Sequence, residues 1–105
     1  MKAKDYNILK EFAVRIRTRY PESQIWAFGS RARGTEDVDS DLDVCVVLNL
    51  LNREARAFIR QVAWEISYRS GIVITTVKYS VNAFSNGPSS ASPLVHTILK
   101  EGIAA

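Results

Sequence analysis

The decisive stretch of this chain is Phe28-Gly29-Ser30-Arg31-Ala32-Arg33-Gly34-Thr35-Glu36-Asp37-Val38-Asp39-Ser40-Asp41-Leu42-Asp43. It combines a turn that is bounded by two glycines and carries two arginines with two aspartates that stand one residue apart. A turn of this kind suits a phosphate group, and a pair of carboxylates suits a metal ion. We therefore expect the functional centre of the protein here.

Apolar runs on both sides of this stretch predict two buried strands, Gln24–Phe28 and Leu42–Leu48. Because side chains alternate between the two faces of a strand, Asp41 and Asp43 should point the same way, with Leu42 on the opposite face in the core. Two carboxylates on one face repel each other unless a cation lies between them. The spacing therefore favours a metal site.

Composition indicates a single globular domain that spans residues 1–105. The chain has 105 residues, of which 47% are hydrophobic and 24% charged, enough for one core and too few for a second. Its net charge of +3 agrees with an anionic ligand such as a nucleotide. A dedicated nucleic-acid-binding role is disfavoured, because no long basic stripe with interleaved aromatic residues is present.

The sequence also predicts a cytoplasmic protein without a membrane span. No apolar run approaches the length that crosses a bilayer, and residues 1–6 lack the apolar segment of a signal peptide. The only cysteine, Cys45, lies within an apolar strand, where a buried and unreactive thiol is expected.

Three longer helices are predicted from apolar residues at three- and four-residue intervals. The first runs from about Lys4 to Tyr20 and is ended by Pro21. The second follows a capping Asn52 and ends at Gly71, and the third begins at Ser92-Pro93 and stops at Gly102.

The remaining pattern predicts one more strand and a loop. Ile72–Tyr79 is dense in β-branched residues and should form a third strand, whereas Ser80–Ser92 is rich in Ser, Asn, Gly and Pro and should form a surface loop. Trp26 and Trp64 are expected in the core. The predicted order is helix, strand, short helix, strand, helix, strand, loop, helix.

The glycine-bounded turn has the chemistry of a phosphate-binding turn. Gly29 lets a ligand approach the backbone closely, Ser30 adds a hydroxyl donor, and residues 30–34 could begin a short helix with unpaired N–H groups. Arg31 and Arg33 are two residues apart and cannot share a helical face, so only one of them should reach a ligand.

Two common motifs do not fit this stretch. The spacing of Gly29 and Gly34 is that of a P-loop, but a P-loop continues with Lys and then Ser or Thr, whereas this chain has Thr35 and Glu36. A calcium loop needs oxygen ligands at regular alternate positions and a late glutamate, which are absent here.

Residues Phe28–Val44 resemble the signature of the DNA polymerase beta-type nucleotidyltransferase superfamily, a Gly-Ser, then Arg-Gly, then Ser-Asp-x-Asp pattern. The length and the flanking elements are most similar to its minimal nucleotidyltransferases. These are single-domain prokaryotic proteins, often encoded beside a HEPN-type helical partner as toxin and antitoxin. The resemblance implies an α/β (α+β) fold, a small mixed β-sheet with helices packed on one face.

The resemblance also implies an activity and a set of site residues. Gly29 and Ser30 match the positions that hold nucleotide phosphates, Arg33 matches a nearby basic position, and Asp41 and Asp43 match the two magnesium-binding aspartates. The implied reaction moves a nucleoside monophosphate from a nucleoside triphosphate, ATP above all, to an acceptor hydroxyl. The acceptor would belong to a HEPN-type partner protein or to a small molecule, and a homo-oligomer is left open.

One departure from the family pattern matters. Active members usually carry a third carboxylate on a later strand, but Ile66–Lys100 contains no Asp or Glu, and the third strand offers only Thr75 and Thr76. Glu65, the nearest acid, and the lone His96 are expected to be surface or structural residues. The alternative is therefore a non-catalytic antitoxin or interaction subunit that keeps the fold and the nucleotide site.

Overall fold

The computed structural model describes residues 1–105, apart from the side chain of Ser89. The helices are α1 (Ala3–Arg17), α2 (Gly29–Arg33), α3 (Arg53–Ser70), α4 (Val81–Ser85) and α5 (Pro93–Glu101), with a 3-10 helix at Pro88–Ala91. The strands are β1 (Gln24–Phe28), β2 (Leu42–Leu48), β3 (Ile74–Ser80) and β4 (Ile103–Ala104).

The four strands form one mixed sheet in the order β3-β2-β1-β4. β1 runs antiparallel to both β2 and β4, and β2 runs parallel to β3. β2 is an almost continuous apolar run because it is a central strand that is covered on both faces. The predicted mixed sheet is confirmed.

The two long helices, α1 and α3, pack together on one face of the sheet. Their apolar stripes close the larger core cluster, in which the main contributors are Leu9, Phe12, Ile16, Ile59, Val62, Ile66, Ile25, Ala27, Val44 and Val46. The C-terminal helices add a smaller cluster on the opposite face, formed by Cys45, Val47, Phe84, Val95 and Ile98. The sheet is therefore covered on both sides around β2.

Most predicted helix ends are confirmed. The Asn52 side chain accepts a hydrogen bond from Ala55 N–H at 2.8 Å, and Gly71 ends α3 with φ +78°. Ser92 Oγ accepts from Val95 N–H at 3.1 Å at the start of α5. The first helix ends at Arg17, three residues before the predicted end.

The predicted loop Ser80–Ser92 was wrong, because it contains α4 and the 3-10 helix. Ser80 acts as a helix cap, since its hydroxyl accepts from Ala83 N–H at 3.1 Å, and Phe84 is buried in the smaller cluster. Strand β4 was not predicted, since two residues are too few to show an alternating pattern. Within the part of the chain that the structure describes, no helix has the length and apolar character needed to cross a membrane.

Candidate functional site

The turn after β1 brings Gly29 against the side chain of Asp43. Phe28 at the end of β1 is the register partner of Asp43 on β2, and Gly29 then leaves the strand with φ +78°. A Cβ atom at Gly29 would overlap Oδ2 of Asp43 and lie 3.4 Å from its Cγ. Glycine is required here both for the backbone conformation and for the approach of the carboxylate.

The two aspartates interact electrostatically. Asp43 is half-buried on β2 on the face opposite the core residues Leu42 and Val44, and Asp41 is exposed just before the strand. Burial raises the pKa of Asp43, and the charge of Asp41 raises it further, whereas the Arg33 guanidinium lowers it. The ionised form of Asp43 is therefore less favourable than in a free aspartate, and a nearby cation would stabilise it.

Thr75 joins the aspartates from the neighbouring strand. It is the register partner of Asp43 in the parallel β2–β3 pair, and its hydroxyl donates to Oδ2 of Asp41 at 3.0 Å. Thr75 thus occupies the position beside Asp43 on β3, the later strand on which the resemblance leads us to expect a third carboxylate. Thr76, the other candidate, faces the opposite side of the sheet because successive residues alternate.

The two arginines of the turn have different surroundings. Arg31 is buried, and its Nη1 donates to both carboxylate oxygens of Asp5 at 3.1 Å. The same side chain donates to the backbone carbonyls of Ser40 at 2.8 Å and Val38 at 3.4 Å. Arg31 therefore ties the segment before Asp41 to α1.

Arg33, in contrast, is exposed, and none of the ion pairs among the described residues includes it. Of the two arginines of the turn, it is the one whose guanidinium is available to a ligand. No pattern in the sequence indicates the role of Asp5, because an acidic residue in the first turn of a helix is usually solvated.

The other titratable residues considered from the sequence lie outside this arrangement. Glu65 on α3 forms an ion pair with Arg15 of α1 and accepts a hydrogen bond from Gln61 at 2.7 Å. His96 on α5 is exposed. Neither supplies the third acid.

The donor set fits a magnesium ion. Asp41, Asp43 and Thr75 offer oxygen atoms only, which Mg2+ prefers, and Mg2+ is commonly held by one or two carboxylates together with substrate phosphates and water. Among the described residues, no three or more His, Cys, Asp or Glu side chains cluster together, so the protein offers two carboxylates to such an ion. Such an ion would therefore depend on oxygens from a bound nucleotide.

A family model described as a nucleotidyltransferase domain matches residues 9–101. The comparison with curated proteins found no match.

Several solved structures share the fold. A toxin–antitoxin crystal structure with AMP-PNP is 20% identical, with 90% of this chain and 70% of that chain covered and a TM-score of 0.60. A mutant of the MntA-HpeT toxin–antitoxin is 19% identical, with coverages of 90% and 69% and a TM-score of 0.63. A Sulfolobus solfataricus protein to which a nucleotidyltransferase role has been attributed is 18% identical, with coverages of 96% and 81% and a TM-score of 0.55.

Proposed function

The chain belongs to the nucleotidyltransferase domain family, and we propose that it transfers a nucleoside monophosphate from ATP to an acceptor hydroxyl with Mg2+. The observation that carries this proposal is the convergence of Gly29, Asp43, Asp41 and Thr75 at one end of the sheet. A nucleotide bound at this end of the sheet would therefore be within reach of both the turn and the carboxylate pair.

Each side chain has a role that follows from its chemistry. The turn that begins at Gly29 would present backbone N–H groups to phosphate oxygens, Ser30 would add a hydroxyl donor, and Arg33 would offer a positive charge to the phosphates. Asp41 and Asp43 would hold Mg2+, and the bound ion would neutralise charge on the phosphates. Thr75 orients Asp41 through its hydrogen bond.

We infer that the acceptor hydroxyl belongs to a partner protein, as in an antitoxin that modifies a HEPN-type toxin. This inference is supported by the fold shared with two toxin–antitoxin structures, one of which was crystallised with AMP-PNP. We also propose that the protein acts in the cytoplasm, where ATP and Mg2+ are available.

A second candidate function is that of a non-catalytic antitoxin subunit. Thr75 favours it, because a hydroxyl stands on β3 beside Asp43 and a hydroxyl cannot act as a base at neutral pH. Loss of a general base reduces rates by about 10²–10⁴-fold. A slow enzyme and a binding subunit are therefore the two outcomes to separate.

An experiment with labelled ATP distinguishes a slow enzyme from a binding subunit. The protein is incubated with Mg2+, ATP labelled at the α-phosphate and the protein encoded beside it, and transfer of label is followed over time. We expect transfer by the wild type, and a loss of about 100-fold or more in Asp43→Asn, because metal-assisted charge stabilisation is worth several kcal/mol. The matched control is Asp37→Asn, an exposed position outside the site. A tight complex with no transfer of label would support the binding subunit.

A further inference from the structure

A line of exposed side chains runs along α3, on the side that faces β3. Arg56, Arg60, Trp64 and Tyr68 follow one another at four-residue intervals and so lie on one side of the helix. The expectation that Trp64 lies in the core was wrong, since Trp64 is 62% and Tyr68 81% exposed. Their rings stack on each other, with centroids 5.6 Å apart and an interplanar angle of 15°.

A groove separates this line from β3. Its volume is about 440 Å3, and it is lined by the buried Ala63 and Ile74 together with the exposed Trp64, Tyr68 and Val73. It lies on the face of the sheet opposite Asp43 and is larger than the cavity of about 150 Å3 beside Asp41. An apolar groove of this size beside exposed aromatic residues is typical of an interaction surface.

The groove borders a free strand edge. β3 is the outer strand of the sheet and pairs only with β2 within the described structure. Leu42 N–H donates to Val73 O at 2.8 Å, so the backbone carbonyl of Val73 points toward β2. In a parallel pair every second residue does the same, and the residues between them direct their N–H and C=O groups away from the partner strand. The outward N–H of Ile74 is already bonded, because it donates to Ser67 Oγ at 2.8 Å. The backbone groups that remain free to pair with another strand are therefore those of Thr76 and Lys78.

The same edge is positively charged. Lys78 points toward α3, and burial, followed by the charges of Arg56 and Arg60, lowers its pKa. None of the ion pairs found among the described residues includes these three cations. Pairing of this edge with a second copy of the chain would bring two such clusters together, so the charge disfavours self-association and favours an acidic partner.

We propose that the docking edge, defined as the free edge of β3 with Arg56, Arg60, Trp64 and Tyr68, binds an extended acidic segment of a partner protein as a fifth strand. Backbone hydrogen bonds to Thr76 and Lys78 would provide affinity, and acidic side chains would pair with the arginines. A polynucleotide fits less well, because its phosphates supply acceptors only and cannot pair with the free carbonyls of the strand edge, and Trp64 and Tyr68 already stack on each other.

The docking edge would deliver a partner to the candidate site. Thr75 lies on the same strand as Thr76 and beside Asp43, so a segment added to β3 would lie two strand spacings, about 10 Å, from the backbone of Asp43. The proposal rests on the proposed function only in naming this partner as the acceptor. Binding itself requires neither nucleotide nor metal.

The test uses a short capped peptide of alternating glutamate and valine, titrated into the full chain and followed by NMR. We expect slower hydrogen exchange at the amides of Thr76 and Lys78 on binding. The double variant Arg56→Glu, Arg60→Glu should bind about tenfold more weakly or worse, since a lost charge pair is worth at least about 1.4 kcal/mol. Lys100→Glu, an exposed reversal of charge on α5, is the matched control and should bind as the wild type does.

Three results would overturn the proposal: no binding of the glutamate peptide, equal binding of its lysine counterpart, or preferential binding of oligothymidylate. Asp43→Asn should bind the peptide as the wild type does, because Asp43 lies on the other face of the sheet. Peptide binding without any label transfer by the wild type would contradict the enzymatic function and leave the docking edge supported. Label transfer without peptide binding would support the enzymatic function and contradict the docking edge.

Discussion

At the residue scale, the contact between Gly29 and Asp43 links the end of β1 to the carboxylate pair. The left-handed conformation of Gly29 is unfavourable for other residues, and an added Cβ would displace the Asp43 carboxylate. The chain contains a useful comparison in Gly71, which has the same φ of +78° but no atom within 4 Å of an added Cβ. The two glycines share the backbone requirement, and only Gly29 has the contact.

Gly29→Ala should therefore impair nucleotide binding more than Gly71→Ala does. Both substitutions should lower the free energy of unfolding by about 1–2 kcal/mol through backbone strain, and Gly29→Ala should lower it further through the overlap with Asp43. We expect Mg2+-dependent ATP affinity, measured by calorimetry, to fall about tenfold or more in Gly29→Ala and to stay unchanged in Gly71→Ala. Equal affinity in the two variants would contradict the assigned contact.

A substitution at Thr75 tests whether the lack of a third carboxylate limits the rate of the reaction. Thr75→Asp places a carboxylate beside Asp43, and we expect pyrophosphate release from ATP, with water as the acceptor, to rise about tenfold or more, since a general base contributes about 10²–10⁴-fold. Thr76→Asp, which faces the other side of the sheet, is the control and should give no increase. A rate in Thr75→Asp at or below that of the wild type would show that this position does not limit the reaction.

At the scale of elements, the buried Asp5–Arg31 pair fixes the loop between α2 and β2 against α1. Arg31 also bonds the carbonyls of Val38 and Ser40, so the backbone just before Asp41 is held by one guanidinium. An ion pair between Lys2 and Glu36 at 2.5 Å joins the same two elements. The position of Asp41 thus depends on the start of α1, which is far from it in sequence.

Breaking this pair on one side should be costly. Asp5→Ala leaves the buried Arg31 charge unpaired, so we expect the free energy of unfolding, measured by urea denaturation, to fall by about 3–5 kcal/mol. The double variant Asp5→Leu, Arg31→Leu removes both charges, so its free energy of unfolding should fall by less than that of Asp5→Ala. Arg69→Ala, which breaks the exposed pair with Glu11, is the control and should change stability by about 1 kcal/mol or less. A small loss in Asp5→Ala would contradict the buried ion pair.

Elements with a strong local pattern were predictable from the sequence, and elements defined by distant contacts were not. The alternation of side chains along a strand predicted Asp43 on the face opposite Leu42, and capping residues predicted both ends of α3. The helix α4 was missed because its serine, asparagine and glycine surroundings are also typical of loops, and only the burial of Phe84 by distant strands favours the helix.

At the scale of the whole molecule, both faces of the sheet are covered, and β3 forms one of its two edges. The face with α1 and α3 holds the larger core, and the other face carries the smaller cluster together with Asp43. The exposure of Trp64 could not be predicted, because its spacing on α3 is close to that of the core residues and only the packed structure shows which side faces the sheet. The contact of Thr75 with Asp41 likewise required the register of β2 and β3.

Cys45 reports on opening of the whole molecule. Its thiol is fully buried, and burial raises its pKa to about 12. We therefore expect labelling by a thiol reagent at pH 8 to occur only upon unfolding, with a rate that follows the stability of the protein. Because the pKa is raised in the folded state, stability should fall as pH rises above the unfolded thiol pKa of about 8.5. Cys45→Ala should lack this alkaline loss, and rapid labelling of the native protein at pH 8 would contradict the burial of Cys45.

The convergence of the turn and the carboxylates on one nucleotide is tested most directly with a paramagnetic metal. Mn2+ and a non-hydrolysable ATP analogue are added together to the labelled protein, and the broadening of backbone amide signals is mapped by NMR. Convergence on one nucleotide predicts the strongest broadening at Gly29, Ser30, Asp43 and Thr75, and the loss of this broadening in Asp43→Asn. Broadening centred on another part of the chain, or broadening that Asp43→Asn leaves unchanged, would contradict it.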